Sequence, residues 1–374
     1  MSQRIAFGAT LLDRGLLREG IDGIGQYCEA LLNQFSKDPQ RLKILPYSFG
    51  ISRSLCNANL LPAYPSYLTK SLLGINLDTN TDHFFKNVDL IHCTDQLIPI
   101  VKNKPLIATV MDTIPLSHPQ FIKAQSRFIK PFLWKKLTCR ADHIITISEF
   151  SKQEIIHHMG FPEEKITSIS LGVDERFFEK ISNEEIQSAL KKLKIDRSFF
   201  LFIGSIQPRK NLAKILLAHA ALPNKVAIEF PLVISGKLAW DDGSTVSAIH
   251  KAIRENRCIW LNYVSDFEKR CLLQSTTALV FASQYEGFGL PILEAFASGA
   301  PVITSNCTSM PEVAGDAAIL INPFDISDIK NSMESVIENH ALRQSLRHKG
   351  TYRAHNYSWA NNAELTKKLY KQLT

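Results

Sequence analysis

Short apolar runs alternate along this chain with longer stretches whose apolar residues recur every three to four positions. The short runs, bounded by polar turns, predict buried strands, and the periodic stretches predict helices packed against them. In the first half the strands are predicted at Ile5–Phe7, Lys43–Pro46, Val88–His92, Pro105–Val110, Ile144–Ile147 and Ile166–Ile169. After a densely charged stretch from Glu175 to Arg197, which holds a helix over 184–194, the pattern starts again. Strands follow at Phe199–Ile203, Leu232–Ser235, Ile259–Leu261, Ala278–Ala282, Val302–Thr304 and Ala318–Ile321, with closing helices over about 325–352 and 359–373. Alternating strands and helices argue for an α/β protein with doubly wound parallel sheets. Residues 50–82, with Pro62, Pro65 and Gly74, lack periodicity and read as a long irregular excursion. The segment Asp22–Tyr27 reads as a glycine-containing loop between the first strand and a helix running through Leu32. Ser148 or Ser151 is expected to cap the helix that follows Ile147, with Glu154 completing a capping box.

Composition narrows the class. A chain of 374 residues, 45% hydrophobic and 21% charged, has material for two domains and ample core. No apolar run approaches the roughly 20 residues needed to span a bilayer, and MSQRIAFGATLLD reads as a first strand rather than a secretory signal. Seven scattered cysteines without a C-x-x-C pair argue against a zinc site or a disulfide framework, and for a reducing cytoplasm. A net charge of +7 is too mild to imply nucleic acid, yet it suits an anionic ligand or membrane surface. Residues 121–140 concentrate Lys123, Arg127, Lys130, Lys135, Lys136 and Arg140 among Phe121, Phe128, Phe132 and Trp134. Such a basic amphipathic segment either lies on an anionic membrane or packs as an ordinary helix with a solvated basic face.

The candidate chemistry centres on residues 281–305. Glu286 and Glu294 flank a Gly-Phe-Gly turn, and Pro291 fits the first turn of a short helix over Leu290–Ser298. Strand, glycine loop, helix and strand in that order place free N–H groups at the mouth of a sheet, an anion site with a carboxylate on either side. Arg209 and Lys210 follow the first strand of the second half, where a guanidinium fork and an ammonium suit a diphosphate. Asp112 lies just beyond Val110, where α/β sheets place ligand groups or turn caps.

In the second half, FIGSIQPRKN (202–211), SGK (235–237), NYVSDFE (262–268), the E-x7-E pair Glu286/Glu294, ASGAPVITSN (297–306) and MPEVAGDAAILINP (310–323) stand in one order. The first half adds DGIGQY (22–27), TVMDTIPLSHP (109–119), ISEFSK (147–152) and LGVDERF (171–177). The second-half segments closely resemble the nucleotide-sugar domain of the retaining glycosyltransferases of family 4, and the first-half segments match that family more loosely. The resemblance implies the GT-B fold: two Rossmann-like domains facing across a cleft, here 1–175 on the acceptor side and 176–355 holding the nucleotide-sugar, with 356–374 packing back on the first. It implies that Lys210 and Arg209 neutralise the donor diphosphate, and that Glu286 with backbone at Phe288, Gly289 and Leu290 holds the transferred sugar and β-phosphate. Glu294 would bind ribose hydroxyls and the backbone at Tyr263 and Val264 the base. Ser205, Gly236 and Lys237 would line the donor site, and Gly23 and Ile24 would close over the phosphates. Two positions depart from the family pattern: Ser205 stands where many members carry Arg, and Met111 where many carry His before Asp112. Asp112 is then the nearest polar group at that edge, oriented to the acceptor; His92 and His118 could compensate for the missing histidine, though each reads first as a buried structural histidine. No D-x-D occurs, so no metal cofactor is expected.

The implied reaction is retaining transfer of a hexose to a glycan or lipid-linked acceptor in surface polysaccharide assembly. DGIGQY and MDTIPLSHP resemble bacterial mannosyl- and rhamnosyltransferases, which makes GDP-mannose the first donor expected. Alternatives are a UDP- or dTDP-sugar donor, a nucleotide-sugar epimerase, or an inactive glycan-binding relative. Alanine at Glu286 or Lys210 is expected to abolish transfer with little change in stability.

Overall fold

The computed structural model describes residues 3–18, 20–38, 42–73, 79–122, 129–240 and 243–374. The chain divides into two compact units, Met1–Gly172 with Trp359–Thr374, and Val173–Ser358. The first contains β1 (Gln3–Gly8), β2 (Leu42–Phe49), β3 (Asn59–Leu61), β4 (Leu90–Cys93), β5 (Leu106–Thr109), β6 (His143–Thr146) and β7 (Ile166–Ser168). The second contains β8 (Phe200–Ile203), β9 (Leu232–Ser235), β10 (Cys258–Trp260), β11 (Ala278–Phe281), β12 (Val302–Ser305) and β13 (Ile319–Ile321). The sheet orders are β3-β2-β1-β4-β5-β6-β7 and β10-β9-β8-β11-β12-β13. Every ladder is parallel. Each sheet is built outward from one central strand and then reverses, at β1/β4 in the first unit and β8/β11 in the second.

The central strands read as unbroken apolar runs because helices cover both faces of a parallel sheet. In the second unit Phe200 and Phe202 pack on one face with Leu232, Ile234 and Val280, beneath Ile215, Ile329 and Met333 from the helices Leu212–Ala220 and Ile326–Glu338. Fully burying each such side chain contributes roughly 1.5–3 kcal/mol. In the first unit the closing helix Trp359–Leu373 returns to the helix Gly23–Phe35 and buries Ala363, Leu369 and Tyr370. The Tyr370 hydroxyl meets His92 Nδ1 at 2.6 Å, and His92 Nε2 meets Thr109 Oγ1 at 2.7 Å. Burial holds the His92 imidazole neutral by lowering its pKa to about 3. His92 is thus a structural tie between the sheet and the C-terminal helix.

Three local expectations are corrected. Residues 50–82 are only partly irregular: among the described ones they supply the edge strand β3, the helix Tyr64–Leu72 and the start of the helix Thr79–Lys86, short elements with little period; residues 74–78, Gly74 included, lie outside the described residues. Buried Asp13 holds the turn before β3, accepting hydrogen bonds from Ser54 Oγ at 3.0 Å and Leu55 N at 2.8 Å, and from Ser48 Oγ at 2.6 Å. Asp22–Tyr27 is not a loop but a helix start. The Asp22 carboxylate accepts from Gly25 N at 2.8 Å, and a Cβ on Gly25 would lie 2.5 Å from Ile21 Cγ2, so close packing requires glycine there. No capping box forms at Ser151: Ser148 caps the helix Glu149–Met159, while Glu154 lies 3.5 Å from His158. An unpredicted helix, Thr10–Leu17, follows β1.

Of the basic segment, residues 123–128 lie outside those described, which include Lys123, Arg127 and Phe128. Of the remainder, Phe121 ends a 3-10 turn and residues 129–138 form the helix Ile129–Thr138, with Trp134 and Leu137 buried and Phe132 69% exposed. Among the described residues no helix is long and apolar enough to cross a membrane.

Candidate functional site

The second sheet's reversal gathers the basic turn after β8 and the glycine loop after β11. Gly204 ends β8 at φ +137°, and a Cβ on Gly236 would fall 1.9 Å from Gly204 O, so the turns after β8 and β9 touch backbone to backbone. Asn211, in the left-handed region at φ +61°, donates from its side-chain amide to Ala282 O at 2.9 Å and Pro323 O at 2.7 Å. Gln284 N donates to Arg209 O at 2.8 Å. These bonds lock the two turns together and aim their side chains at one another.

Arg209 Nη1 lies 2.8 Å from Glu286 Oε2 and donates to Tyr285 O at 2.9 Å, while Lys210 Nζ lies 2.6 Å from Glu286 Oε1 and 4.6 Å above the Phe281 ring. Lys210 is 7% exposed and Glu286 8%. Burial by itself would raise the Glu286 pKa; the charges of Arg209 and Lys210 override it and hold the carboxyl at about 2. Burial lowers the Lys210 pKa, and Glu286 partly restores it. Two cations against one carboxylate leave a net positive charge in a desolvated place, which an anionic ligand would neutralise. The pairing also corrects the expectation of little change in stability: breaking a buried ion pair from one side costs about 3–5 kcal/mol.

The glycine loop is held from behind. Ser309 Oγ donates to both Glu286 O and Phe288 O at 2.9 Å, and Glu286 N donates to Thr308 Oγ1 at 3.3 Å. Gly289 at φ +111° opens the helix Leu290–Ala297, whose first turn holds Pro291 and receives no side-chain cap from Gly289. This helix starts from the loop at the carboxyl end of β11, the sheet edge from which Lys210 also comes, and a helix N-terminus carries partial positive charge. Glu294 is 4% exposed, and Lys269 Nζ sits 2.6 Å from both of its carboxylate oxygens. Beyond β9 and β10, Lys237 Nζ lies 4.9 Å from the centre of the Tyr263 ring, which is 63% exposed, whereas Val264 is buried. Ser205 Oγ accepts from Gln207 Nε2 at 3.1 Å.

The structure therefore brings Ser205, Arg209, Lys210, Gly236, Lys237, Tyr263, Val264, Glu286, Phe288, Gly289, Leu290 and Glu294 to the carboxyl ends of β8–β11 and the loops beyond them, where open α/β sheets bind ligands. Gly23, Ile24 and Asp112 belong to the first unit. Asp112 Oδ1 accepts from Ile114 N at 3.1 Å, just ahead of the short helix Ile114–Ser117, whose N-cap is Thr113. His118 stacks on Phe121 with ring centroids 5.5 Å apart. Sequence reasoning missed Lys269, Asn211 and Ser309. Asn211 directly follows Arg209-Lys210, and its type favours a left-handed turn, a usable signal; nothing in the sequence marks Lys269 as the partner of Glu294. Among the described residues no cluster of three or more His, Cys, Asp or Glu is placed to hold a metal ion.

Two family descriptions match the chain, Glycosyltransferase Family 4 over residues 21–177 and Glycosyl transferases group 1 over residues 183–353. The O-antigen chain mannosyltransferase B of Escherichia coli is 33% identical over 262 residues, covering 70% of this chain and 68% of that protein. The serotype-specific mannosyltransferase WbdA of Escherichia coli is 32% identical over 259 residues, 68% of this chain but 32% of that longer protein. Among solved structures, Anabaena HepE in complex with UDP-glucose superposes with a TM-score of 0.78 at 17% identity, covering 99% of this chain and 100% of that one. That likeness shows the GT-B fold. The chain belongs to glycosyltransferase family 4.

Proposed function

We propose that the protein is a retaining mannosyltransferase, moving mannose from GDP-mannose to a glycan or lipid-linked saccharide in surface polysaccharide assembly. The observation that carries this reading is the cluster of Arg209, Lys210 and Glu286 at the β8/β11 reversal. The donor diphosphate takes the two cations and the N-terminus of the helix Leu290–Ala297, a preorganised set of positive groups aimed where leaving-group charge develops. Glu286 turns to the sugar hydroxyls, and Glu294 with Lys269 binds the ribose. Ser205, Gly236 and Lys237 line the donor pocket, and the base rests against Tyr263 and Val264. The C1–phosphate bond breaks as the acceptor oxygen bonds C1 from the same face, and the acceptor proton passes to the departing phosphate oxygen. The mannosyl assignment is supported by the similarity to bacterial mannosyltransferases. This scheme assigns the diphosphate charge to protein groups and calls for no metal.

The test is a panel of GDP-, UDP- and dTDP-sugars with and without saccharide acceptors, followed by release of nucleotide, with the product anomer read by NMR. Acceptor-dependent release of GDP from GDP-mannose, unchanged by EDTA, with an α-linked product is expected. Preference for a UDP- or dTDP-sugar, isomerisation of the sugar, or binding without turnover would each overturn it. We also place the protein on the cytoplasmic membrane face through residues 121–140, where Phe132 is exposed. Equal binding to anionic and neutral vesicles would remove that element.

A further inference from the structure

The second unit begins at Val173, and its first residues are laced to one helix, Asp266–Ser275. Arg176 Nη1 lies 3.7 Å from Asp266 Oδ2. Arg270 Nη1 donates to Arg176 O and to Glu179 Oε2, each at 2.8 Å. Gln274 Nε2 donates to Glu179 O at 2.7 Å. Asp266, Arg270 and Gln274 recur at every fourth position, so they share one face of the helix, and the segment after Val173 lies along it. Lys269 stands three residues after Asp266, beside the same face. Its ammonium, 2.6 Å from both carboxylate oxygens of Glu294, also lies 5.2 Å from the centre of the Phe177 ring. Phe177 is itself buried.

One cation is therefore shared between a carboxylate and an aromatic ring. The face of a phenyl ring is negative, and an ammonium within about 6 Å of its centre is attracted to it, more strongly where water is excluded. The Lys269 side chain is 17% exposed and that of Glu294 6%, so solvent screens this arrangement little. A lysine stem is flexible, and an ammonium can meet a carboxylate from many directions. A second anchor on the ring restricts those directions. We propose that Phe177 is a positioning residue for the nucleotide: its ring holds the Lys269 ammonium on Glu294, and through that pair it sets how tightly the ribose is bound. Phe177 has no polar side-chain atom and acts only through Lys269. The inference rests on the reading of Glu294 as the ribose ligand. Plain packing at 177 would need an apolar side chain of the right volume but no electron-rich face, and the experiment separates the two.

The test is calorimetry on the full chain with GDP and UDP, which share the ribose and the diphosphate; whichever binds more tightly is the probe. Phe177→Leu is expected to weaken it about threefold, the scale of one partly desolvated cation–ring contact. Leucine also changes the packing, so a second series keeps the shape: phenylalanine analogues with one, two and three ring fluorines at position 177, which withdraw charge from the ring face. Affinity is expected to fall with each fluorine while the melting temperature stays near that of the wild type. In a Lys269→Met background the same series should leave affinity unchanged, because no cation remains over the ring. Affinity that is flat across the fluorinated series, or that falls equally in the Lys269→Met background, would overturn the proposal and leave Phe177 a packing residue. Glu294→Ala separates this failure from the failure of the ribose reading. If that variant loses affinity while the fluorinated series is flat, only the role of Phe177 is lost. If Glu294→Ala binds the probe as the wild type does, or if the wild type binds neither nucleotide, the ribose reading falls and this inference with it.

Discussion

The two sheet reversals are built alike and charged differently. In each, the strand begun after the crossover runs into a loop bearing a buried carboxylate, Asp95 after β4 and Glu286 after β11. Glu286 lies between Arg209 and Lys210, and its pKa falls to about 2. Among the described residues no Lys or Arg is ion-paired with Asp95, and burial raises its pKa to about 6 against the weaker, opposing effect of Arg14. One topology thus yields two kinds of recess. The second is already ionised and paired, with one positive charge in excess, and suits an anion. The first holds a buried carboxylate whose pKa is raised rather than lowered, closed in beneath the packed ends of β1, β2 and β4.

The largest effects should come from unbalancing the second reversal. Glu286→Ala leaves the buried Lys210 and the half-buried Arg209 without their shared carboxylate. Transfer is expected to fall about 10²–10³-fold, the scale of losing one preorganised transition-state contact, and stability by about 3–5 kcal/mol. Glu286→Gln keeps the shape, so the catalytic loss should persist with a smaller stability loss. Lys210→Ala should match Glu286→Ala in activity. Denaturant titration alongside initial rates reads both quantities, and wild-type turnover in either alanine variant would remove this cluster from the mechanism.

A pH comparison tests the contrast directly. Asp95 has a folded pKa raised to about 6 from 3.8, so its contribution to stability is fully present below 3.8 and is lost as pH rises through 6. Glu286 works in the opposite sense: its contribution is present above 4.5 and is lost as pH falls toward 2. At about 1.4 kcal/mol per pKa unit, Asp95→Asn should stabilise the protein relative to wild type by up to about 3 kcal/mol more at pH 7 than at pH 4. Arg14 and Asp22 also act on Asp95, in opposite directions. His92 titrates in the same unit but cancels in the difference between variant and wild type. An offset independent of pH would show that Asp95 is not the unpaired carboxylate described above.

Much of this was legible in the sequence because the central strands are buried on both sides and so read as plain apolar runs. Leu232–Ser235 matches its prediction residue for residue. The three-residue strand β3 and the helix Thr10–Leu17 were not legible. One is too short to carry a period, and the other follows β1 so closely that it reads as its continuation. At the site, residue types were readable but their pairing was not. Arg209 and Lys210 suggested a phosphate and Glu286 a sugar, whereas the fold joins all three across a long sequence separation. Asp95 and Tyr47 carry no motif. Only the topology that brings β1, β2 and β4 together makes them neighbours.

A smaller effect distinguishes the partners of the two glutamates. Glu294 is paired with one cation where Glu286 has two, and Lys269 is that cation. Glu294→Ala is expected to raise the donor KM about tenfold, about 1.4 kcal/mol, with kcat little changed. Lys269→Met should do the same more weakly, because it leaves Glu294 in place but no longer oriented. A fall in kcat equal to the rise in KM would mean that Glu294 acts on the transferred sugar, and the division of labour between the two glutamates would fail.

The smallest effect is the most diagnostic for the first reversal. Tyr47 is buried with its hydroxyl beside the Cys93 thiol, a weak partner, and removing a weakly partnered buried hydroxyl while keeping the ring is close to neutral. Tyr47→Phe should therefore shift the stability of the protein by less than about 1 kcal/mol, whereas a hydroxyl with a good hydrogen bond would cost about that much or more. The melting temperature decides between them. A clear destabilisation would mean that a buried water gives Tyr47 a stronger partner than the thiol, and the first reversal would then be a hydrated cluster rather than closed packing.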